Sequence, residues 1–276
     1  MSKEKYNQLV NEGFCIFENI LSTALVNRLR SVTDQLCENM TEEHKKYFRS
    51  QGSAFRTYED PVFAELIAWQ LSLDALRSMG FKDPTFTSGY ILSKPPHSPP
   101  LFWHYDWFGW ADPNTYDPRP QQVFFMYYLT DTTPHNGCLR VIPGSHYKHN
   151  PLHDLIMEPH AGEISAAKNL GRPEFSTRPD EIDAPVKAGD LLIGDSRLLH
   201  ASYANNSDER RTVITLWFQP DFCDLPERIK AQLASKTHPI PEDWSQEAQE
   251  MVRRLNPKYD GDAVPYGRVL YQRKSG

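Results

Sequence analysis

Residues 102–110 read FWHYDWFGW, in which His104 and Asp106 stand two apart in a run otherwise made of aromatic residues and one glycine. An extended chain sends residues i and i+2 to one face, so the imidazole and the carboxylate project together while Tyr105 points away. Such a pair either hydrogen-bonds internally, the ordinary fate of a histidine in an apolar strand, or offers two adjacent ligands to a divalent metal. A third donor decides between these, and the candidate is His200, at the start of HASYANNSDERR (200–211). The Asn, Ser and Asp of that stretch favour a reversal. Centred on Asn205 and Asn206, the reversal makes a hairpin in which His200 faces Arg211, Ser202 shares their face and Arg210 points away. Directly opposed residues have Cβ atoms ~5 Å apart, and a one-residue bulge would exchange the two arginines.

Two histidines and a carboxylate on one face of six-coordinate iron leave three positions open, the arrangement of non-haem Fe(II) oxygenases. The dianion 2-oxoglutarate fills two of them with its 1-carboxylate and keto oxygen and leaves one for O2. Its far carboxylate then needs a fixed cation. Arg211 is a permanently charged, bidentate partner for it, and Ser202 adds a hydroxyl. The charges also match: a dication with one aspartate keeps one positive charge, Arg211 brings a second, and the cosubstrate carries two negative ones.

At these residues the sequence resembles the phytanoyl-CoA dioxygenase family of Fe(II)/2-oxoglutarate oxygenases, which includes the ectoine hydroxylases. The likeness is carried by WHYD (103–106), DTTPHNGCLRVIPGSH (131–146), GD (189–190) and HASYANNSDERR, with NEGFCIFENILS (11–22) at the start, so that it spans roughly residues 8–220. HxD alone recurs by chance; HxD followed by NGxLxxxPGSH and then by His and Arg in that order is specific. The resemblance implies that His104, Asp106 and His200 are catalytic iron ligands, that Arg211 with Ser202 clamps the distal carboxylate, and that Trp110 lies beside the active site. It implies Fe(II), 2-oxoglutarate and O2 as cofactor and cosubstrates, release of succinate and CO2, and hydroxylation of a C–H bond as the default outcome. Because Asp106 stands where a halogenating site would carry Ala or Gly, halogenation is disfavoured. Asn136, Gly137 and Pro143-Gly144-Ser145 read as turn and strand-end residues. Two rival classes stay open: a cupin-like hydrolase or isomerase holding Zn²⁺ at the same three residues, against which Arg211 speaks, and a non-catalytic binding module.

These residues need a scaffold, and the central stretch supplies short apolar runs broken by Pro, Gly, Asn and Asp. TFTSGYILSK, LFWHYD, QVFFMYYLT, CLRVIP, APVKA, DLLIGD, LLHASY and RTVITLWF read as strands of a mainly β fold with flanking helices, a double-stranded β-helix (jelly roll, cupin-like). Before it come a helix near 3–11, the strand FCIF, and a helix after Ser22 whose Leu25, Val26, Leu29, Val32 and Leu36 form an apolar stripe. Residues 41–60 read as a polar mobile loop, and 61–79 as helical. The stretch 146–185 has no clear period and reads as a lid or a disordered connection. In the tail, PERIKAQLAS and SQEAQEMVRRL read as helices and GRVLYQR as an edge strand. A single oxygenase domain over 1–276 follows, with N-terminal helices to 80, a jelly-roll core at about 84–220 packed by helices on one outer face, and a helical extension over 221–276.

A net charge of -6 argues against a nucleic-acid partner and offers no basic site for a coenzyme A diphosphate, which favours a small-molecule substrate with apolar surface. No apolar stretch approaches the ~20 residues of a membrane span, and the polar start lacks a secretory h-region, so the expectation is a cytoplasmic protein without a membrane partner. Cys15, Cys37, Cys138 and Cys223 form no CxxC pair and read as reduced core thiols. Nothing in the sequence sets the oligomeric state. Phe102 and Phe108 share the ligand face by parity, whereas Trp103 belongs to the other layer. Arg56 and Lys94, near segments beside the barrel mouth, read as solvated side chains, with binding of a substrate carboxylate or phosphate as the alternative; Met126 and Tyr128 read as core, with pocket lining as theirs; His97, His135, His146, His149, His153 and His160 read as ordinary hydrogen-bonded or solvated histidines.

Overall fold

The computed structural model describes residues 2–156, 158 and 162–273. Among the described residues ten strands form two antiparallel sheets: β1 (Phe14–Phe17), β2 (Phe55–Arg56), β3 (Thr85–Lys94), β4 (Leu101–His104), β5 (Val123–Tyr128), β6 (Leu139–Val141), β7 (Ile182–Ala184), β8 (Leu191–Asp195), β9 (His200–Ser202) and β10 (Arg211–Gln219). The larger sheet has the order β1-β8-β5-β10-β3-β2 and the smaller β4-β9-β6-β7. Strand β3 coincides with the expected TFTSGYILSK, because its β-branched and aromatic residues end at Pro95-Pro96, where the ladder loses its donors.

Alternation along β10 divides the molecule into layers. Ile214, Leu216 and Phe218 point outward into a cluster with Leu9 of α1 (Ser2–Glu12), Leu25 and Leu29 of α2 (Thr23–Glu38) and Phe63, Leu66 and Leu76 of the helical stretch over 62–78. Burying one such side chain contributes roughly 1.5–3 kcal/mol. Ser22 caps α2, its hydroxyl accepting from Leu25 N at 3.2 Å. Val213 points inward, toward Phe124, Met126, Tyr128, Leu139 and Val141 between the sheets. Behind the smaller sheet a third cluster joins Trp103, Tyr105 and Leu199 to Ile229 and Leu233 of the helix Glu227–Lys236. Helices therefore cover both outer faces, where one was expected.

Three sequence expectations change. Residues 41–60 hold the helix Glu42–Tyr47 and strand β2, and their centre is packed, with Ser50, Gln51 and Ser53 buried. Gly52, at φ +87°, makes that packing possible: a Cβ there would lie 2.2 Å from Ser93 O and 2.5 Å from Lys94 Cα, so only a bare backbone can lie against β3. GRVLYQR forms no strand, only a parallel bridge from Val269 to Gly109; Tyr271 takes its place in the aromatic cluster, stacked on His153 at 4.0 Å. Cys223 is exposed, whereas Cys15, Cys37 and Cys138 are buried free thiols. Among the described residues no helix is long and apolar enough to cross a membrane.

Candidate active site

The largest correction concerns the hairpin. His200 does not face Arg211, since β9 and β10 lie in different sheets: His200 pairs with His104 on β4 and Val141 on β6, and Arg211 pairs with Lys94 on β3. The turn-forming residues serve a crossing between sheets. Fully buried Asn205 holds it, its side-chain amide donating to Lys94 O at 3.2 Å, Pro95 O at 3.1 Å and Glu209 O at 2.8 Å. Direct pairing sets the two histidines side by side, their ring centres 4.1 Å apart and their planes tilted by 49°.

β4 ends at His104, so Asp106 is placed by the loop beyond it, where Asp106 N and Trp107 N both donate to Ser196 O at 2.8 Å. His104 Nε2 lies 3.5 Å from Asp106 Oδ1, and His200 Nε2 lies 3.8 Å from Asp106 Oδ2. Two ligands held ~2.1 Å from one ion are at most ~4.2 Å apart, so both spacings admit a shared metal. The second nitrogens settle the tautomers. His104 Nδ1 meets Phe102 O and His200 Nδ1 meets Leu198 O, each at 3.0 Å; a carbonyl only accepts, so each Nδ1 carries the proton and each Nε2 presents its lone pair. Of the groups able to hold a metal, this is the one cluster found among the described residues.

Beyond the triad the two sheets enclose a narrow cleft of roughly 300 Å³, its open mouth included, lined by Lys94, Met126, Tyr128, Ser202, Arg211 and neighbouring apolar residues. Arg211 is 3% exposed; its Nη2 is 3.5 Å from Ser202 Oγ, and among the described residues its Nε has no hydrogen-bond partner and no carboxylate pairs with it. A buried guanidinium without an anion is costly, so the cleft is built for an anionic ligand. Ser202 lies two residues along β9 from His200, roughly 7 Å of extended chain, which puts the cation beside the metal ligands. Arg210, by contrast, donates to Ser93 O at 3.0 Å.

Lys94 corrects a second expectation. It is fully buried, with Nζ donating to Ser50 O at 2.5 Å and to Pro99 O. Burial, and then the Arg211 charge, hold its ammonium well below the usual lysine range. With Lys94 charged, the match of charges found from the sequence is exceeded by one, the direction that favours proton loss before an anion arrives. A dianion bound beside it would raise its affinity for that proton, so cosubstrate binding is expected to take up protons and to weaken as pH rises above the depressed pKa. Lys94→Met is expected to lower 2-oxoglutarate affinity about tenfold or more and to flatten this pH dependence, as read by anaerobic calorimetry; an unchanged pH slope removes Lys94 from the role.

Of the other residues, Phe102 lies beside His104 at 5.1 Å between ring centres, and Met126 and Tyr128 line the cleft. Phe108 lies in the rear cluster under Arg268. The structure does not bring Trp110 to the cleft: its indole donates to Trp107 O at 2.9 Å and packs at the rear against Tyr105 and Tyr271. Arg56 is exposed beside His238, at a separate cleft. His97, His135, His146, His149 and His153 join no metal cluster, and His160 lies outside the described residues.

Two contributors were missed. Phe124 packs on His200 at 4.8 Å, in space left by Gly194, where a Cβ would lie 2.1 Å from Phe124 Cζ. Trp217 donates from Nε1 to Asp106 Oδ2 at 2.9 Å. Strand parity held the signal, since Trp217 shares a face with Arg211 in RTVITLWF and Phe124 shares one with Met126.

Two antiparallel sheets carrying a facial His-Asp-His triad beside a buried arginine define a metal-dependent oxygenase of the 2-oxoglutarate class. Residues 9–213 match the family profile described as Phytanoyl-CoA dioxygenase (PhyH), and the chain belongs to this family. It uses Fe(II) and 2-oxoglutarate. Ectoine dioxygenase of Nocardia farcinica (strain IFM 10152) is 25% identical over 249 residues, covering 85% of this chain and 83% of its own length. The probable alpha-ketoglutarate-dependent hypophosphite dioxygenase of Stutzerimonas stutzeri is 23% identical over 240 residues, 79% of this chain and 78% of its own. In fold the chain is similar to EctD from S. alaskensis with bound Fe, with a TM-score of 0.59 and 21% identity over 81% of this chain and 78% of that one. It is also similar to SnoN, the non-heme alpha ketoglutarate dependent epimerase from nogalamycin biosynthesis, with a TM-score of 0.59 and 16% identity over 79% of this chain and 82% of that one.

Proposed function

We propose that the protein hydroxylates an unactivated C–H bond of a small or medium-sized metabolite, with His104, Asp106 and His200 as the iron ligands and Arg211, assisted by Ser202 and Lys94, as the anchor for 2-oxoglutarate. The observation that carries this reading is the buried Arg211, which has no carboxylate partner among the described residues and lies in the same cleft as Ser202 and Lys94. When bound, iron supplies the redox centre at which O2 and 2-oxoglutarate are consumed, succinate and CO2 are released, and a substrate C–H bond becomes C–OH. The chain's own residues orient and exclude. The backbone carbonyls of Phe102 and Leu198 fix the two imidazoles, Phe102 and Phe124 keep water from them, and Arg211 holds the far end of the cosubstrate so that its keto acid end reaches the triad. The half-buried Tyr90 and Trp217 on the inner sheet face favour a substrate with apolar surface. Retention of Asp106 favours hydroxylation over halogenation.

A double-stranded β-helix within a single oxygenase domain over residues 1–276, in the cytoplasm, fits this reading. The sandwich of β4-β9-β6-β7 on the larger sheet supports the jelly roll, and the free buried cysteines support a reducing compartment. The test is an anaerobic titration of metal-free protein with Fe(II) and then 2-oxoglutarate. A weak visible metal-to-ligand charge-transfer band, followed on aeration by succinate release, is the expected result. Fe(II) binding with no band and no succinate would overturn the reading and return the hydrolase and the binding module to the front.

A further inference from the structure

The inner face of β10 carries Arg211, Val213, Thr215 and Trp217 in alternation, and the first two line the cosubstrate cleft. Trp217 faces the other part of the site. Among the described residues, the Trp217 indole, at 2.9 Å from Oδ2, is the one hydrogen-bond donor to the Asp106 carboxylate; the ligand imidazoles face it with Nε2 lone pairs at 3.5 and 3.8 Å. Asp106 also lies past the end of β4, so its main chain is held by the hydrogen bond to Ser196 O, with no strand pairing, and the orientation of its side chain depends on what the carboxylate touches.

We propose that Trp217 is the positioning residue for Asp106: its N–H holds Oδ2 so that the carboxylate meets the metal through one oxygen and leaves the remaining positions open. An indole suits this task because it can only donate and carries no charge. A lysine or arginine there would offset the negative charge that the metal needs from Asp106. The indole is itself fixed, edge-on to Tyr90 with ring centres 5.9 Å apart at 75°, and it has Ser88 and Phe124 as cross-strand partners. The register of β10 against β3 shifts between Trp217 and Phe218, a bulge of the kind that re-aims a side chain beside a site.

This inference rests on the triad reading, and its test separates the two. Trp217→Phe removes the donor and part of the ring, whereas 3-benzothienylalanine at position 217 replaces N–H by sulfur and keeps the shape. Fe(II) affinity is measured by chelator competition, and the electronic spectrum is recorded for Co(II)-substituted protein. Loss of a supporting hydrogen bond of this kind typically weakens metal binding 10–100-fold. That loss, with altered Co(II) ligand-field bands, is expected for both variants. A benzothienyl variant that binds Fe(II) within about twofold of wild type, with an unchanged Co(II) spectrum, overturns the role of Trp217 while leaving the triad in place. Wild-type protein that fails to bind Fe(II) overturns the triad reading itself.

Discussion

Metal-free Arg211→Met protein is expected to melt at a higher temperature than wild type and to lose the stabilisation that 2-oxoglutarate gives the Fe(II)-loaded wild type. Arg211 lies buried beside Lys94 with no carboxylate partner among the described residues, so before cosubstrate arrives it is an uncompensated cation. Replacing buried charge by a well-packed apolar side chain commonly stabilises a protein by ~1–4 kcal/mol. Binding reverses the sign. Truncating one member of a buried, hydrogen-bonded charge pair costs ~2–5 kcal/mol, which at ~1.4 kcal/mol per tenfold means roughly 30- to several-thousand-fold more 2-oxoglutarate for half-saturation. Fe(II) binding in the absence of cosubstrate should stay near wild type. Arg211→Lys keeps the charge and loses the planar fork, so it should recover only part of the affinity. The checks are thermal melts with and without cosubstrate and the anaerobic titration. Wild-type 2-oxoglutarate affinity in Arg211→Met would remove the anchor.

Alanine at His104 or His200 should instead abolish the site at the metal. Each imidazole is one of three ligands and is preset by its Nδ1 hydrogen bond to a backbone carbonyl, so its loss should exceed the ~100-fold that follows removal of a supporting hydrogen bond. Charge-transfer absorption and succinate release should both vanish. His200→Ala also empties space against Phe124 in a buried position, so His200→Gln serves as the volume-preserving companion. Either variant retaining the band at wild-type Fe(II) concentration would show that the metal is held elsewhere.

The sequence by itself determined the identity of the chemistry. HxD, the later histidine and the arginine are fixed by residue type and order, and short runs of apolar, aromatic and β-branched residues bounded by Pro, Gly, Asn and Asp mark strands such as β3. What it could not determine was which strands meet. Turn residues at 203–210 look locally like a hairpin, because Asn, Ser and Asp favour any reversal. Asn205 uses the same chemistry to pass the chain from one sheet to the other. Only that crossing sets His200 against His104 and Arg211 against Lys94. A lysine is ordinarily solvated, so the sequence favours that reading of Lys94 over binding of an anion; its burial follows from packing in which Nζ donates to the carbonyl oxygens of Ser50 and Pro99, 44 and 5 residues away along the chain. Trp217 and Asp106, separated by 111 residues, meet through packing of the two sheets. Local propensities are read from neighbours in sequence. The charge, hydration and partner of a buried group are set by whatever the fold brings within a few ångströms of it, and that was decided by the tertiary structure alone.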